Sequence, residues 1–231
     1  MRQVIGFKFL TTGLLAFCLA YAAFAQEVKI DSNYINSHYT ERMDFFHALP
    51  VQKHAIVFLG NSITEHGEWP ELVAGKKPVI NRGIGGDNTF GLRARLNEVL
   101  ADEPSKIFLL IGINDLFRKL PYEVTVSNYK RIISAVRTKS PKTKLYIQSV
   151  LPINEDMLKQ PYAAGRNAMV LELNKRIEAL ATTEKIPFIN LHPLFLDAEG
   201  KLKRELTLDG VHLKPKAYVT WIEYLKSSHY L

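Results

Sequence analysis

Five short apolar runs alternate with stretches of helical spacing, and this alternation leaves few architectures open. The runs are 55–59, 77–81, 107–111, 145–150 and 187–191. Continuous apolar runs of this length, closed by turn residues, mark strands buried on both faces. Helical spacing precedes the first run in Ile35, Tyr39, Met43, Phe46 and Leu49. It returns in a short helix over 68–73, in Leu92, Leu96 and Leu100, and in Tyr122, Val126, Tyr129, Ile133 and Val136 behind Pro121. It closes the chain in Met169, Leu173, Ile177 and Leu180, and in Tyr218, Trp221, Ile222 and Leu225 behind Pro215. Apolar residues three and four apart give one buried face to each helix. Strands alternating with helices predict a parallel sheet covered on both sides, a three-layer α/β/α architecture with five strands. The order of strands in space stays open. The one long irregular stretch is 151–166, with Pro152, Pro161 and Gly165.

The first 25 residues read as something other than fold. Arg2 and Lys8 precede an apolar segment, Phe9 to Phe24, that ends in Ala23-Phe24-Ala25. A basic start, an apolar middle and small residues two apart describe a secretory signal peptide. The apolar segment is short of the ~20 residues that span a bilayer. The expectation is export to a bacterial periplasm or the exterior, cleavage after Ala25, no stable membrane insertion afterwards, and one domain over 26–231. Cys18 is the only cysteine and falls in the leader, so the mature chain has no disulfide, thiol nucleophile or cysteine metal site. Its stability rests on its core, for which about 206 residues suffice. Loss of Arg2 and Lys8 lowers the formal charge from +7 to +5. The remaining basic residues are dispersed, with no aromatic interleaving, so no nucleic-acid partner is expected.

The chemistry sits just beyond the strand ends. The first run leads into Gly60-Asn61-Ser62 and the second into Gly83-Ile84-Gly85-Gly86-Asp87. The third ends in Gly112-Ile113-Asn114-Asp115, and Asp209-Gly210-Val211-His212 follows the fifth. The strands of a parallel sheet deliver such loops to one edge, where open α/β sheets place their sites. Ser, His and Asp are the parts of a nucleophile activated by an oriented base. Adjacent glycines let a backbone N–H approach a substrate closely, and Asn supplies an NH₂ donor. The glycine run lacks the third glycine of a dinucleotide fingerprint. No Gly-x-Ser-x-Gly is present, because Thr64 occupies its last position.

These four blocks, in this order, resemble the SGNH (GDSL-type) esterases and lipases, over nearly all of residues 50–225. The resemblance implies a flavodoxin-like sheet and a Ser62, His212 and Asp209 triad. It also implies an oxyanion hole from the N–H groups of Ser62 and Gly86 and the side chain of Asn114. In the implied reaction Ser62 attacks an ester carbonyl, His212 shuttles the proton, Asp209 orients His212, and water releases the acyl group. One departure is visible: the family's Asp before the nucleophile is Asn61 here. The glycine loop and compact size are similar to platelet-activating-factor acetylhydrolase-like and carbohydrate acetylesterase members. The expected substrate is therefore a small acyl ester or acetylated glycan. A lysophospholipase or thioesterase for longer chains is the alternative, and a non-catalytic glycan-binding module the second.

Further candidates for contact with substrate are His66, Arg82, Tyr162, Arg166 and Asn167, each with an ordinary surface or structural role as the competing reading. The remaining histidines lack metal-ligand spacing, so neither metal nor cofactor is expected. Asp115 is expected to be structural. The oligomeric state is not legible.

Overall fold

The computed structural model describes residues 30–158 and 165–231. The expected signal peptide and Tyr162 lie outside the described residues. Five strands form one sheet: β1 (Ile56–Gly60), β2 (Val79–Gly83), β3 (Lys106–Leu110), β4 (Lys144–Gln148) and β5 (Phe188–Ile189). Their order is β2-β1-β3-β4-β5, and every pairing is parallel. The five-stranded parallel α/β fold expected from the alternation is the one observed.

The order explains the position of the chemistry. From β1 the chain crosses to β2 on one side and then to β3 on the other, so β1 is the topological switch point. Right-handed crossovers running in opposite directions put their helices on opposite faces and open a crevice at the carboxyl end of such a strand. Between β1 and β2 lie α2 (Ser62–Glu65) and α3 (Trp69–Leu72). The returning connections carry α4 (Thr89–Ala101), then α5 (Ile113–Phe117) and α6 (Tyr122–Lys139), then α7 (Arg166–Thr183). Helix α8 (Pro215–Ser227) closes the fold, and α1 (Ser37–Ala48) precedes β1. Among the described residues no helix is long and apolar enough to cross a membrane.

The sheet is held by aromatic residues in register. Phe58, Phe108 and Tyr146 are partners across β1, β3 and β4. Their rings stack at 5.1 and 5.0 Å. Trp69 of α3 lies parallel on Phe58 at 4.0 Å, and Trp221 of α8 meets Trp69 edge-on at 5.0 Å. Offset and edge-on pairs of this kind add to the burial of the large rings themselves. The polar edge of each buried ring is satisfied: Trp69 donates to the Thr64 carbonyl, Tyr218 to that of Ile63 and Trp221 to Gln148 Oε1, each at 2.8 Å. Two of these bonds end on α2, so the ring stack also seats the helix that begins at Ser62.

Boundaries differ from expectation where side chains intervene. Asn36 caps α1 by accepting the Tyr39 N–H, which leaves Ile35 before the helix and exposed. Pro121 sits one position before α6 rather than inside it. Strand β4 stops at Gln148, not Val150, because the Asn174 side chain takes both the N–H and the carbonyl of Val150, at 2.7 and 2.8 Å. Strand β5, expected over 187–191, therefore has a pairing partner for only two residues.

Helix α2 packs tightly over the ends of β1 and β2, which end in the paired residues Gly60 and Gly83. A Cβ on Gly83 would lie 2.1 Å from the Glu65 nitrogen and 2.5 Å from its Cα. Those are backbone atoms and cannot step aside. Gly83→Ala is therefore expected to destabilise the protein by about 2 kcal/mol or more, the upper range for overpacking. Urea unfolding of the variant measures it, and an unchanged midpoint contradicts the close approach.

Candidate active site

Ser62 is the first residue of α2, at the end of the switch-point strand. Asn61 caps that helix, its Oδ1 accepting the Ile63 N–H at 3.0 Å. Capping needs only a short side-chain acceptor, which Asn supplies as Asp does. The unused Nδ2 of Asn61 is buried without a hydrogen-bond partner among the described residues. At the other end of α2, Asn81 of β2 donates to the carbonyls of Thr64, Glu65 and Gly67. The short helix carrying Ser62 is thus tied down at both ends by asparagine side chains.

The Asp209–His212 turn arrives opposite Ser62. His212 Nε2 lies 3.0 Å from Ser62 Oγ, and His212 Nδ1 lies 2.6 Å from Asp209 Oδ2. Asp209 Oδ1 also accepts the N–H groups of Val211 and His212 at 2.9 and 2.8 Å. Burial pushes the Asp209 carboxyl up, but these hydrogen bonds from His212 and Val211 outweigh it and hold the group below its ordinary value. Asp209 is therefore an ionised acceptor at neutral pH. Thr207 braces the turn from inside: its Oγ1 donates to the His212 carbonyl and accepts the Gly210 N–H. The Asn154 N–H reaches the Gly210 carbonyl at 2.8 Å, so the segment after β4 carries the turn.

The glycine loop after β2 presents one N–H. Glu65 Oε2 accepts the Gly85 N–H, the Ile84 carbonyl that of Asp87, and Asp87 Oδ1 that of Asn88. Gly86 is the residue whose N–H these bonds leave over. It is exposed and has φ +75°, a conformation that disfavours any side chain. Asn114, near the start of α5, donates from Nδ2 to the Asp87 carbonyl at 2.8 Å. That bond uses one of its two amide hydrogens and holds the side chain against the glycine loop. A nucleophile bonded to an oriented base, with a backbone N–H and an amide held together on the flanking loops, has the parts of an acyl-transfer site.

A buried arginine joins the loops from below. Arg95 of α4 donates to Asp87 Oδ2, to the Arg82 carbonyl and to the Gly60 carbonyl, each at 2.9 Å. Burial pushes the Asp87 carboxyl up, and the charge of Arg95 pulls it back. Asp115 takes the structural position expected of it. Its carboxylate accepts from the Thr89 backbone and hydroxyl and from the Thr125 hydroxyl, joining α5 to α4 and α6.

The additional contact candidates separate. His66 lies beside the site, its ring 5.1 Å from that of His212. Arg82 points elsewhere: it is 5% exposed, pairs with Glu98 at 3.4 Å and covers the Phe46 ring. The Asn167 side chain is committed to both backbone groups of Ile153, at 2.9 and 2.8 Å. Buried Arg166 donates to the Leu116 carbonyl at 2.9 Å. Glu65 and Asn81 were not singled out in the sequence. A glutamate three residues after the nucleophile was the one available signal.

Fold and site define an α/β hydrolytic enzyme whose serine stands at the end of the switch-point strand. Residues 58–219 match the GDSL-like lipase/acylhydrolase family. The chain belongs to that family and is a carboxylic ester hydrolase. It is 26% identical to an arylesterase of Vibrio mimicus over 211 residues, 90% of each chain. It is similar to a Streptococcus pneumoniae protein described provisionally as a platelet activating factor, at 27% identity and TM-score 0.69. That match covers 94% of this chain and 99% of the other. A GDSL-like lipase of Bacteroides thetaiotaomicron matches at 26% identity and TM-score 0.69, over 82% and 96% of the two chains.

Asp115 supplies a pH test of how the site is built. Burial pushes its carboxyl from 3.8 up to about 6, against the hydrogen bonds from Thr89 and Thr125. The folded protein then holds this proton more tightly than the unfolded chain. The stability so contributed is complete below about pH 4 and is lost as pH rises through about 6. Asp115→Asn cannot ionise, so its unfolding free energy is expected to fall less than that of the wild type between those limits. Denaturant melts across this range measure the two slopes. Parallel slopes contradict the shift.

Proposed function

We propose that this chain is an exported serine esterase that removes a short acyl group, acetyl in the first instance, from a carbohydrate. The observation that carries the catalytic part is the continuous relay from Asp209 Oδ2 through His212 to Ser62 Oγ, at 2.6 and 3.0 Å. In this mechanism His212 Nε2 takes the Ser62 proton as Oγ attacks the ester carbonyl. Asp209 holds the imidazole through Nδ1 and stabilises the cation that forms. The negative charge on the former carbonyl oxygen is met by the Ser62 and Gly86 N–H groups and the free hydrogen of Asn114 Nδ2. His212 then protonates the departing alcohol, and water repeats the sequence on the acyl-enzyme. The leader sequence supports export of residues 26–231 as the catalytic domain, where acetylated glycans are accessible substrates. The similarity of the glycine loop to carbohydrate acetylesterases supports the choice of alcohol. The aligned relay also speaks against a binding module without turnover. A fluorophosphonate probe is expected to label the protein and to leave Ser62→Ala unlabelled. Absence of labelling on the folded wild-type protein removes Ser62 from the mechanism.

One observation favours a more apolar ester. Beside His66 a groove of about 320 Å³ runs between α3 and the start of α8, lined by Leu72, Leu208, Leu213, Tyr218 and Val219, with Glu68 and Glu71 also on its wall. Leu208 and Val219 are large apolar residues left exposed there. A concave apolar surface next to a reactive group is where ligand carbon is buried. The relative in Vibrio mimicus is an arylesterase. A matched series of acetyl, octanoyl and palmitoyl esters of one alcohol decides between the readings. Acetyl esters are expected to turn over fastest. Turnover confined to long chains assigns the groove to acyl carbon and ends the carbohydrate-acetate reading.

A further inference from the structure

We propose that Glu65 is a positioning residue that aims the oxyanion-binding N–H of Gly86, and that α1 serves the active site through it. This rests on the esterase mechanism above. Glu65 ends the helix that Ser62 begins. Its Oε2 accepts the Gly85 N–H at 2.5 Å and lies 3.0 Å from His38 Nε2. Its Oε1 lies 3.1 Å from Arg42 Nε. His38 and Arg42 both belong to α1, which precedes the matched family segment 58–219. The Glu65 side chain is 14% exposed, so its charge is sheltered and depends on these partners.

The loop shows why this carboxylate matters. Ile84 is fully buried against Tyr39 and Phe46 of α1. Asp87 is fixed by Arg95, and Gly85 by Glu65. Gly86 therefore hangs, exposed, between two anchored neighbours. The Glu65 bond fixes the Ile84–Gly85 peptide, so the next peptide turns only about the two bonds at the Gly85 Cα, and the range of directions open to the Gly86 N–H narrows. One side chain thus joins the helix of the nucleophile to the loop of the donor. A donor aimed in advance stabilises the developing charge without reorganisation, and one left to wander does not. Arg42 reinforces the link by donating to the Gly83 carbonyl at 3.3 Å and lying over the Phe46 ring at 4.7 Å. His38 packs on the same peptide: a Cβ on Gly85 would meet its Nε2 at 3.1 Å.

The test uses the full chain, p-nitrophenyl acetate, and four variants: Glu65→Ala, Glu65→Gln, Asn114→Ala and the double variant Glu65→Ala/Asn114→Ala. Glu65→Ala is expected to lower kcat by roughly 10–100-fold with little change in KM, the signature of a misplaced group rather than lost binding. Glu65→Gln keeps an oxygen facing Gly85 and is expected to recover most of that loss. Asn114→Ala alone is expected to cost roughly 10²–10³ in kcat, as loss of one oxyanion donor does. In the double variant the combined loss is expected to be smaller than the product of the two single losses, because both groups act on one charge. The amide exchange of Gly85, followed by NMR without substrate, is expected to accelerate in Glu65→Ala. Should Glu65→Ala not fold, Arg42→Gln and His38→Ala carry the same test, with a fall in kcat at constant KM expected in at least one. A folded Glu65→Ala with wild-type kcat overturns the proposal, as do Glu65→Gln no better than Glu65→Ala, fully multiplicative losses, or wild-type kcat in both α1 variants. A wild-type protein that hydrolyses no ester overturns the underlying esterase reading as well. An active wild type with an indifferent Glu65 overturns this inference alone.

Discussion

The guanidinium of Arg95 is the interaction on which the edge of the sheet depends. It is wholly buried, and it reaches three acceptors that belong to different parts of the chain: Asp87, the Arg82 carbonyl and the Gly60 carbonyl. These are the end carbonyl of β1, which also accepts the Ile84 N–H at 3.2 Å, and the penultimate carbonyl of β2. A planar group with five N–H donors in a fixed fork can meet such a set at once, which a lysine cannot. The positive charge left inside is balanced by Asp87, whose carbonyl in turn holds Asn114. One side chain from α4 therefore sets the relative position of the strand end before Ser62, the glycine loop and the amide on the third loop.

Asparagines finish what that charge begins. Asn61 caps the helix of Ser62, Asn81 closes its other end, Asn88 caps α4, and Asn174 replaces a strand at Val150. Each carries a donor and an acceptor on one rigid plane; Asn81, Asn88 and Asn174 use both on backbone groups where regular pairing stops, while Asn61 uses its acceptor alone. Asn167 does the same for Ile153, next to the residue that carries the Asp209–His212 turn. Side chains that look like substrate contacts by residue type are spent on backbone here, because a site built from loops has many unpaired groups to satisfy.

Apolar packing supplies the platform under these polar ties. The stack of Trp69, Phe58, Phe108 and Tyr146 runs across three strands, and Trp221 and Tyr218 lock α8 to the same rings. Because α8 begins three residues after His212, anchoring that helix also limits where the histidine can lie. Burial of the rings and orientation of the base are, at this point, the same structural fact.

The class of fold and the four blocks beyond the strand ends can be read from the residues in order. Strand and helix periods are local, and so is the rule that chemistry gathers beyond the carboxyl ends of parallel strands. Within those blocks it was the resemblance that picked out Ser62, His212, Asp209, Gly86 and Asn114, while the structural position expected of Asp115 agrees with its bonds to Thr89 and Thr125. Strand ends were less legible, since Asn174 stops β4 from 24 residues away. Folding alone turns Arg82 to Glu98, commits Asn167 to the backbone, and brings Glu65, His38 and Arg42 together at Gly85. A lone charged residue carries no periodic signal. Its role follows from which partner the folded chain brings within about 3 Å, and that distance is set by packing between segments remote in sequence.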